Sequence, residues 1–464
     1  MAPDICNPVP VVIVGGGLSG ATVAFHLARA RPEGAPPVVL VEPRAEPGRG
    51  LAYSTPAPEH RLNVPDLRMT LRTDRPDDFR RWLCDPGAPA LPPGSATLSG
   101  DLFVPRAVFG AYVGARLAPL LASGRIVHVR DRAVSARRGA SGFEVGLAGG
   151  GAVRGARLVL AVSHPPPGLP GELAGLAGDP ALVPDPYAPG ALAGIGVDER
   201  ALVLGSGLTG ADIVASFEAR GHRGPVTMLS RHGRRSQPHG RGQAATAEDF
   251  SLSPETTARG LLRRIRAALA RDAAAGLSWH AVFDRLRLQG PTIWAALPLA
   301  ERARLVRHLR GLWDVHRFRI APQTHEAVER MLVRRRLRLV AGRITGVRRG
   351  PAGIEIALRL RGEGEALTLA CDRVVLATGP GHRGVIAGNP VLADLAGQGL
   401  LRADPLRLGL DTDAAGAALD ATGRAQEDLL VAGPLARAAV GELMGLPEVT
   451  AFAERVVARL LAAG

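Results

Sequence analysis

The chain has 464 residues, 46% of them apolar, enough for about two to four domains with sizeable cores. No apolar run approaches the roughly 20 residues of a membrane span. The formal net charge is +14, but every basic residue is an arginine, these are spread along the chain, and aromatics are only 4%. Nucleic-acid binding concentrates charge on one face among aromatic platforms, so it is not expected.

The opening "MAPDICNPVP" has no basic leader segment, and a cytoplasmic location is expected. Cys6, Cys84 and Cys371 are far apart and form no Cys-x-x-Cys. Buried, inert thiols are expected rather than a zinc ribbon, another metal site or a redox pair.

In chain order, "VPVVIVGGG" reads as a buried parallel strand entering a tight turn, because its apolar run is continuous and β-branched. A helix follows from Leu18 and ends before Pro32 and Gly34. "PPVVLVE" is a second buried strand, stopping at Glu42. "RIVHVRDRAVSARR" and "GFEVGLAGGGAVRG" predict an antiparallel meander, which feeds the strand "RLVLAVSHPPP". The order then repeats. "RALVLGSGLTGADIVASFEARG" gives strand, glycine turn and helix, "PVTMLSR" the next strand, and a second meander leads into "VVLATGP". Two units of one plan stand in tandem.

A helical insertion divides the second unit. Ser253, before Pro254 and Glu255, is the expected helix start. Leu305, Leu309, Leu312, Trp313 and His316 fall on one helical face, and Pro322 opens another helix. The stripe Val449, Phe452, Ala453, Val456, Val457, Leu460 and Leu461 predicts a C-terminal helix packed on a sheet.

Each glycine loop has the pattern Gly-x-Gly-x-x-Gly after a strand and at a helix start. The first glycine permits the turn, the second lets a pyrophosphate approach, and the third packs helix against strand. The helix start adds free N–H groups. The first loop offers Gly15, Gly17, Leu18, Ser19 and Gly20, and Glu42 is placed to accept from a ribose diol. The second offers Gly205, Gly207, Leu208, Thr209 and Gly210, but its next strand ends in Ser230-Arg231. An acid there would repel a 2′-phosphate and an arginine can grip one, so FAD is expected in the first unit and NADPH in the second. Arg234 and Arg235 are near enough in sequence to share the phosphate.

With these stretches, the chain resembles bacterial FAD/NAD(P)-binding proteins of the NAD_binding_9 type, and more distantly flavin-containing and N-hydroxylating monooxygenases. "GRGLAYSTP…LNVP" is the most specific match; "RRWL", "FVPRAVFGAYV", "DPYAPGAL", "LWDVHRFRIAP" and "LLVAGPL" carry the likeness along nearly the whole chain. The resemblance implies FAD contacts from Arg49, Gly50, Leu51, Asn63, Gly433 and Pro434. The chain departs from the family's pattern at Met69 to Arg75 and at "AVSHPPP", which puts Ser163 and His164 near a domain junction.

The expected fold is α/β with two Rossmann-like units. The FAD-binding domain spans 1–170 and 373–464, the NADPH-binding domain 198–252 and 338–372, and the helical insertion 253–337. The resemblance implies hydride transfer from NADPH to FAD, then reaction with molecular oxygen through a flavin hydroperoxide that oxygenates a small organic substrate such as an amine. The alternatives are a flavin oxidoreductase passing electrons to an organic or protein acceptor, and, more remotely, a flavoprotein acting on RNA. No catalytic residue is identified; His239, in "SQPHG", is the candidate substrate contact, and no membrane partner is expected.

Overall fold

The structure is a computed structural model that describes residues 9–462 apart from 163, 166, 241, 352, 363, 365, 380, 382 and 383. Cys6, Ser163 and Pro380 therefore lie outside the described residues.

Two sheets carry the chain. The first takes β1 (Val9–Val14), β2 (Val38–Val41), β3 (Ile126–Val129), β4 (Ala133–Gly139), β5 (Gly142–Leu147) and β6 (Ala152–Leu160). The second takes β7 (Leu182–Val183), β8 (Ala201–Leu204), β9 (Val226–Ser230), β10 (Leu337–Gly350), β11 (Gly353–Leu360), β12 (Ala366–Cys371) and β13 (Arg373–Leu376). The chain then returns to the first sheet with β14 (Ala417–Leu419) and β15 (Ala425–Val431). The orders are β14-β15-β6-β1-β2-β3, with β4 and β5 branching from β6, and β12-β11-β10-β9-β8-β13-β7. The central strands are parallel and bury both faces, which is why their apolar runs are continuous.

The helices, in order, begin with α1 (Leu18–Ala30), α2 (Asp78–Trp82), α3 (Arg106–Ala122) and α4 (Leu208–Ala219). The insertion holds α5 (Ala258–Ala274), α6 (His280–Leu288), α7 (Gly290–Ala296), α8 (Leu299–His308), α9 (Arg310–Arg317) and α10 (Pro322–Val333). The chain closes with α11 (Pro390–Gly397), α12 (Arg437–Val440) and α13 (Glu448–Ala462).

Several local expectations are corrected. Ile126–Val129 belongs to the parallel sheet beside β2, not to the meander; its burial does not alternate, and His128 bonds the Glu42 carbonyl at 2.9 Å. Ser253 is no cap. It turns at φ +50, outside any helix, and Thr257 caps α5 by accepting from Gly260 N–H at 3.0 Å. The face Leu305–His316 breaks at Leu309 into α8 and α9. The break re-aims α9, so that Trp313 and His316 stack on Phe283 with centroids 5.8 and 4.7 Å away. In α13, Leu461 is exposed, whereas the rest of the stripe is buried against α1 and the first core. Cys371 is buried, its thiol pushed up to about 12 by desolvation and the adjacent Asp372. Cys84, at the end of α2, is exposed.

Candidate functional site

In both units the glycine loop is forced by close approach. Gly15 sits at φ +98 and Gly205 at φ +125, where L side chains are strained. A Cβ on Gly15 would strike the Ala161 carbonyl after β6, and one on Gly205 the Ala377 carbonyl after β13. The third glycines, Gly20 and Gly210, pack against the carbonyls of Gly15 and Gly205 in the same way.

The middle glycines differ. A Cβ on Gly17 would meet only Gly50 Cα, at 3.5 Å, and one on Gly207 would meet nothing within 4 Å. Both are N-caps without a side-chain cap, so the first-turn N–H groups of α1 and α4 face these openings. The space that folding leaves beside each middle glycine fits a phosphate-bearing ligand.

Around the first opening, Glu42 is buried. Its Oε2 accepts from Gly16 N–H at 2.9 Å, and its Oε1 accepts from Arg44 at 3.0 and 3.1 Å. Oε2 keeps a lone pair for a ribose hydroxyl. Gly433, at φ +89, lies so close to Ser19 that a Cβ there would collide with its hydroxyl. The structure thus gathers Gly17, Ser19, Gly50, Gly433 and Pro434 at one end of α1. Arg49 is paired with Glu46 at 3.0 Å, and Leu51 is exposed. Asn63 is engaged elsewhere, accepting from Ala321 N–H at 3.2 Å through its side chain and from His239 at 2.9 Å through its carbonyl.

Around the second opening, Leu208 and Thr209 start α4, and Ser230 ends β9 with its hydroxyl buried and unpartnered. Arg231 and Arg234 are exposed and pair with no carboxylate among the described residues. The β10–β11 hairpin adds Arg343 and Arg361, likewise exposed and unpaired by any described carboxylate. All four surround His232, whose pKa is lowered by burial and by these charges. Arg235 is not free for a phosphate: it is paired with Glu329 of α10. Arg343 and Arg361 were hidden in the sequence because a hairpin more than a hundred residues downstream brings them to the end of β9.

The two units meet through buried polar contacts that sequence reasoning missed. Arg106 of α3 pairs with Asp212 of α4 at 2.7 Å, and Tyr187 donates to the same Asp212 oxygen at 2.6 Å. Burial alone would lower the Arg106 pKa, but Asp212 and Tyr187 outweigh it and raise it. Burial, then Asp212, raises that of Tyr187. His60 bonds Ser216 of α4 at 3.0 Å. His239 lies at the same seam, bonded to Asn63 and packed on Phe103 with centroids 5.0 Å apart. Desolvation holds it neutral, its pKa pushed down to about 4.

Residues 12–165 match the family described as FAD-NAD(P)-binding. No curated protein matches the chain. Solved structures share the fold along nearly its whole length. L-lysine 6-monooxygenase from Pseudomonas syringae aligns with a TM-score of 0.66 at 18% identity, over 98% of this chain and 99% of that one. Ornithine N-hydroxylase from Kutzneria sp. 744, solved with reduced FAD, NADP+ and L-ornithine, gives 0.66 at 15%, over 98% and 100%. The cadaverine monooxygenase DfoA from Erwinia amylovora, bound to FAD, gives 0.66 at 15%, over 99% and 95%. The α/β fold with two Rossmann-like units, read from the tandem glycine loops, is the fold of the protein. No helix of the described residues is long and apolar enough to cross a membrane.

Proposed function

We propose that the protein is an FAD-dependent, NADPH-using monooxygenase acting on a small organic amine. The observation that carries this reading is the pair of glycine-capped helices, open at Gly17 and Gly207. One is followed by the buried acid Glu42, the other by a cluster of arginines that pair with no carboxylate among the described residues. The acid suits a ribose diol and the arginines a 2′-phosphate, so the two dinucleotides differ. The amine comes from the solved structures of the same fold, whose names specify lysine, ornithine and cadaverine.

The chemistry FAD supplies when bound is acceptance of hydride from NADPH and delivery of electrons to molecular oxygen. The net reaction consumes amine, oxygen, NADPH and a proton, and yields hydroxylamine, water and NADP+. In this reading Gly17, Ser19, Gly433 and Pro434 seat the FAD pyrophosphate and Glu42 its ribose. Gly207 and the first turn of α4 seat the NADPH pyrophosphate, and Arg231, Arg234, Arg343 and Arg361 hold its 2′-phosphate. The Arg106–Asp212–Tyr187 network ties α3 of the first unit to α4, the second glycine helix, and the insertion excludes water from the crevice between the units.

The test is oxygen partition. FAD-loaded protein is given NADPH under isotopically labelled oxygen with lysine, ornithine or cadaverine. A substrate raises oxygen consumption, lowers peroxide release and gains one labelled oxygen atom. Reduced protein indifferent to air but rapidly reoxidised by a quinone would overturn the reading in favour of an electron-transferring reductase.

A further inference from the structure

Arg437 opens α12, immediately after the turn that carries Gly433 and Pro434. It is 6% exposed. Its Nη1 donates to the thioether of Met444 at 3.0 Å. Its Nε and Nη2 are buried and have no hydrogen-bond partner, and no carboxylate of the described residues lies within ion-pair distance. The other deeply buried arginines are better satisfied. Arg317 pairs with Glu442 at 2.9 Å, and Arg61 donates to Ser95 and the Phe103 carbonyl.

The unpartnered edge has a defined shape. Nε–H and Nη2–H point the same way and match the two oxygens of a carboxylate. The chain uses this edge repeatedly. Arg116 grips Asp78 with it at 2.8 and 3.0 Å, Arg287 grips Glu448 at 2.6 and 2.7 Å, and Arg330 grips Glu218 at 2.6 and 3.0 Å. The acids whose charges act on Arg437 are engaged elsewhere. Asp314 faces Arg310 at 3.5 Å, Glu442 binds Arg317, and Asp404 accepts from the N–H groups of Leu406, Leu408 and Gly409 at 2.8, 2.6 and 2.5 Å. A buried guanidinium left so is costly unless something else pairs with it.

We propose that the Nε–Nη2 edge of Arg437 binds a carboxylate of the substrate, between α12 and α9 of the insertion. The site follows the Gly433-Pro434 turn directly, at the carboxyl end of β15, the side of an open α/β sheet on which ligands bind. His164, at the carboxyl end of β6, faces the same charges. Burial, then Arg437 and Arg310, push its pKa down to about 4, so two guanidinium charges act on one place beside the Gly433-Pro434 turn. The signal in the sequence is an arginine inside the apolar run "GPLARAAV".

This inference rests on the flavoprotein reading, and its test separates the two. FAD-loaded wild type, Arg437→Met and Arg437→Lys are melted with acetate or benzoate, using chloride at equal ionic strength as control. Binding of labelled benzoate is measured by equilibrium dialysis. Wild type gains melting temperature from the carboxylates, Arg437→Met loses at least about tenfold in benzoate affinity, and Arg437→Lys, which keeps charge without the fork, is also weakened. Without added anion, Arg437→Met melts no lower than wild type, since it removes an unpaired buried charge. Equal binding in wild type and Arg437→Met would overturn the proposal. So would a lower melting temperature of the anion-free Met variant, or loss of its FAD, because the side chain would then serve folding or the cofactor. Flavin that NADPH cannot reduce, with benzoate binding intact, would instead count against the NADPH-using monooxygenase reading alone.

Discussion

Arg106 and Asp212 meet at 2.7 Å in the interior between the two sheets, with side chains 11% and 2% exposed. The pair ties α3 of the first unit to α4, the helix that begins at the second glycine loop. Arg106→Met strands the Asp212 carboxylate and should cost about 3–5 kcal/mol in chemical unfolding. Asp212→Leu should cost a similar amount, and the double variant less than the sum. Single variants within about 1 kcal/mol of wild type would show that the seam is held by other contacts.

The glycines should separate folding from binding. Gly15→Val forces its side chain into the Ala161 carbonyl and should not fold. Gly17→Val finds space, so it should fold and lose about tenfold or more in FAD content. Gly207→Val should keep FAD and bind NADPH poorly. A yellow, fully loaded Gly17→Val protein would contradict the FAD assignment.

Cofactor choice should reside in the arginine cluster rather than in Arg231 alone. Removing one charge-assisted contact costs about 1.5–3 kcal/mol, or roughly ten- to a hundred-fold in affinity. Arg231→Ala with Arg361→Ala should weaken NADPH by at least that factor and leave NADH nearly unchanged. Arg235→Ala should instead act on stability, through its pair with Glu329. Equal losses for both nucleotides in the double variant would refute the 2′-phosphate role.

Acid should loosen the seam at His239. Its folded pKa is about 4 against an ordinary 6.5, so between these values the unfolded chain binds the extra proton. Stability from this group is complete above about pH 6.5, falls as pH drops, and changes no further below about pH 4. His239→Gln should flatten the decline of melting temperature over that window. An unchanged slope would place the acid sensitivity elsewhere.

Strand, loop, helix and acid were legible at Gly15, Gly17, Gly20 and Glu42 because contiguous residues form the motif. So were the parallel strands, whose apolar runs do not alternate. Contacts assembled from distant segments were not legible. Arg361 reaches His232 across 129 residues and Arg106 reaches Asp212 across 106, and no local pattern announces either. The break at Leu309 was not legible because both halves keep helical periodicity, and only packing on Phe283 distinguishes one helix from two. Asn63 was readable as part of "LNVP", but its bonds to Ala321 and His239 depend on the fold.

That one chain holds both dinucleotides, with electrons passing from NADPH to FAD, is tested most directly by mixing FAD-loaded protein with NADPH in the absence of oxygen and recording the visible spectrum. The predicted result is bleaching of the flavin band by equimolar NADPH, with NADH at the same concentration far slower. A flavin band that NADPH leaves unchanged, or a protein that stays colourless after incubation with FAD, would contradict it.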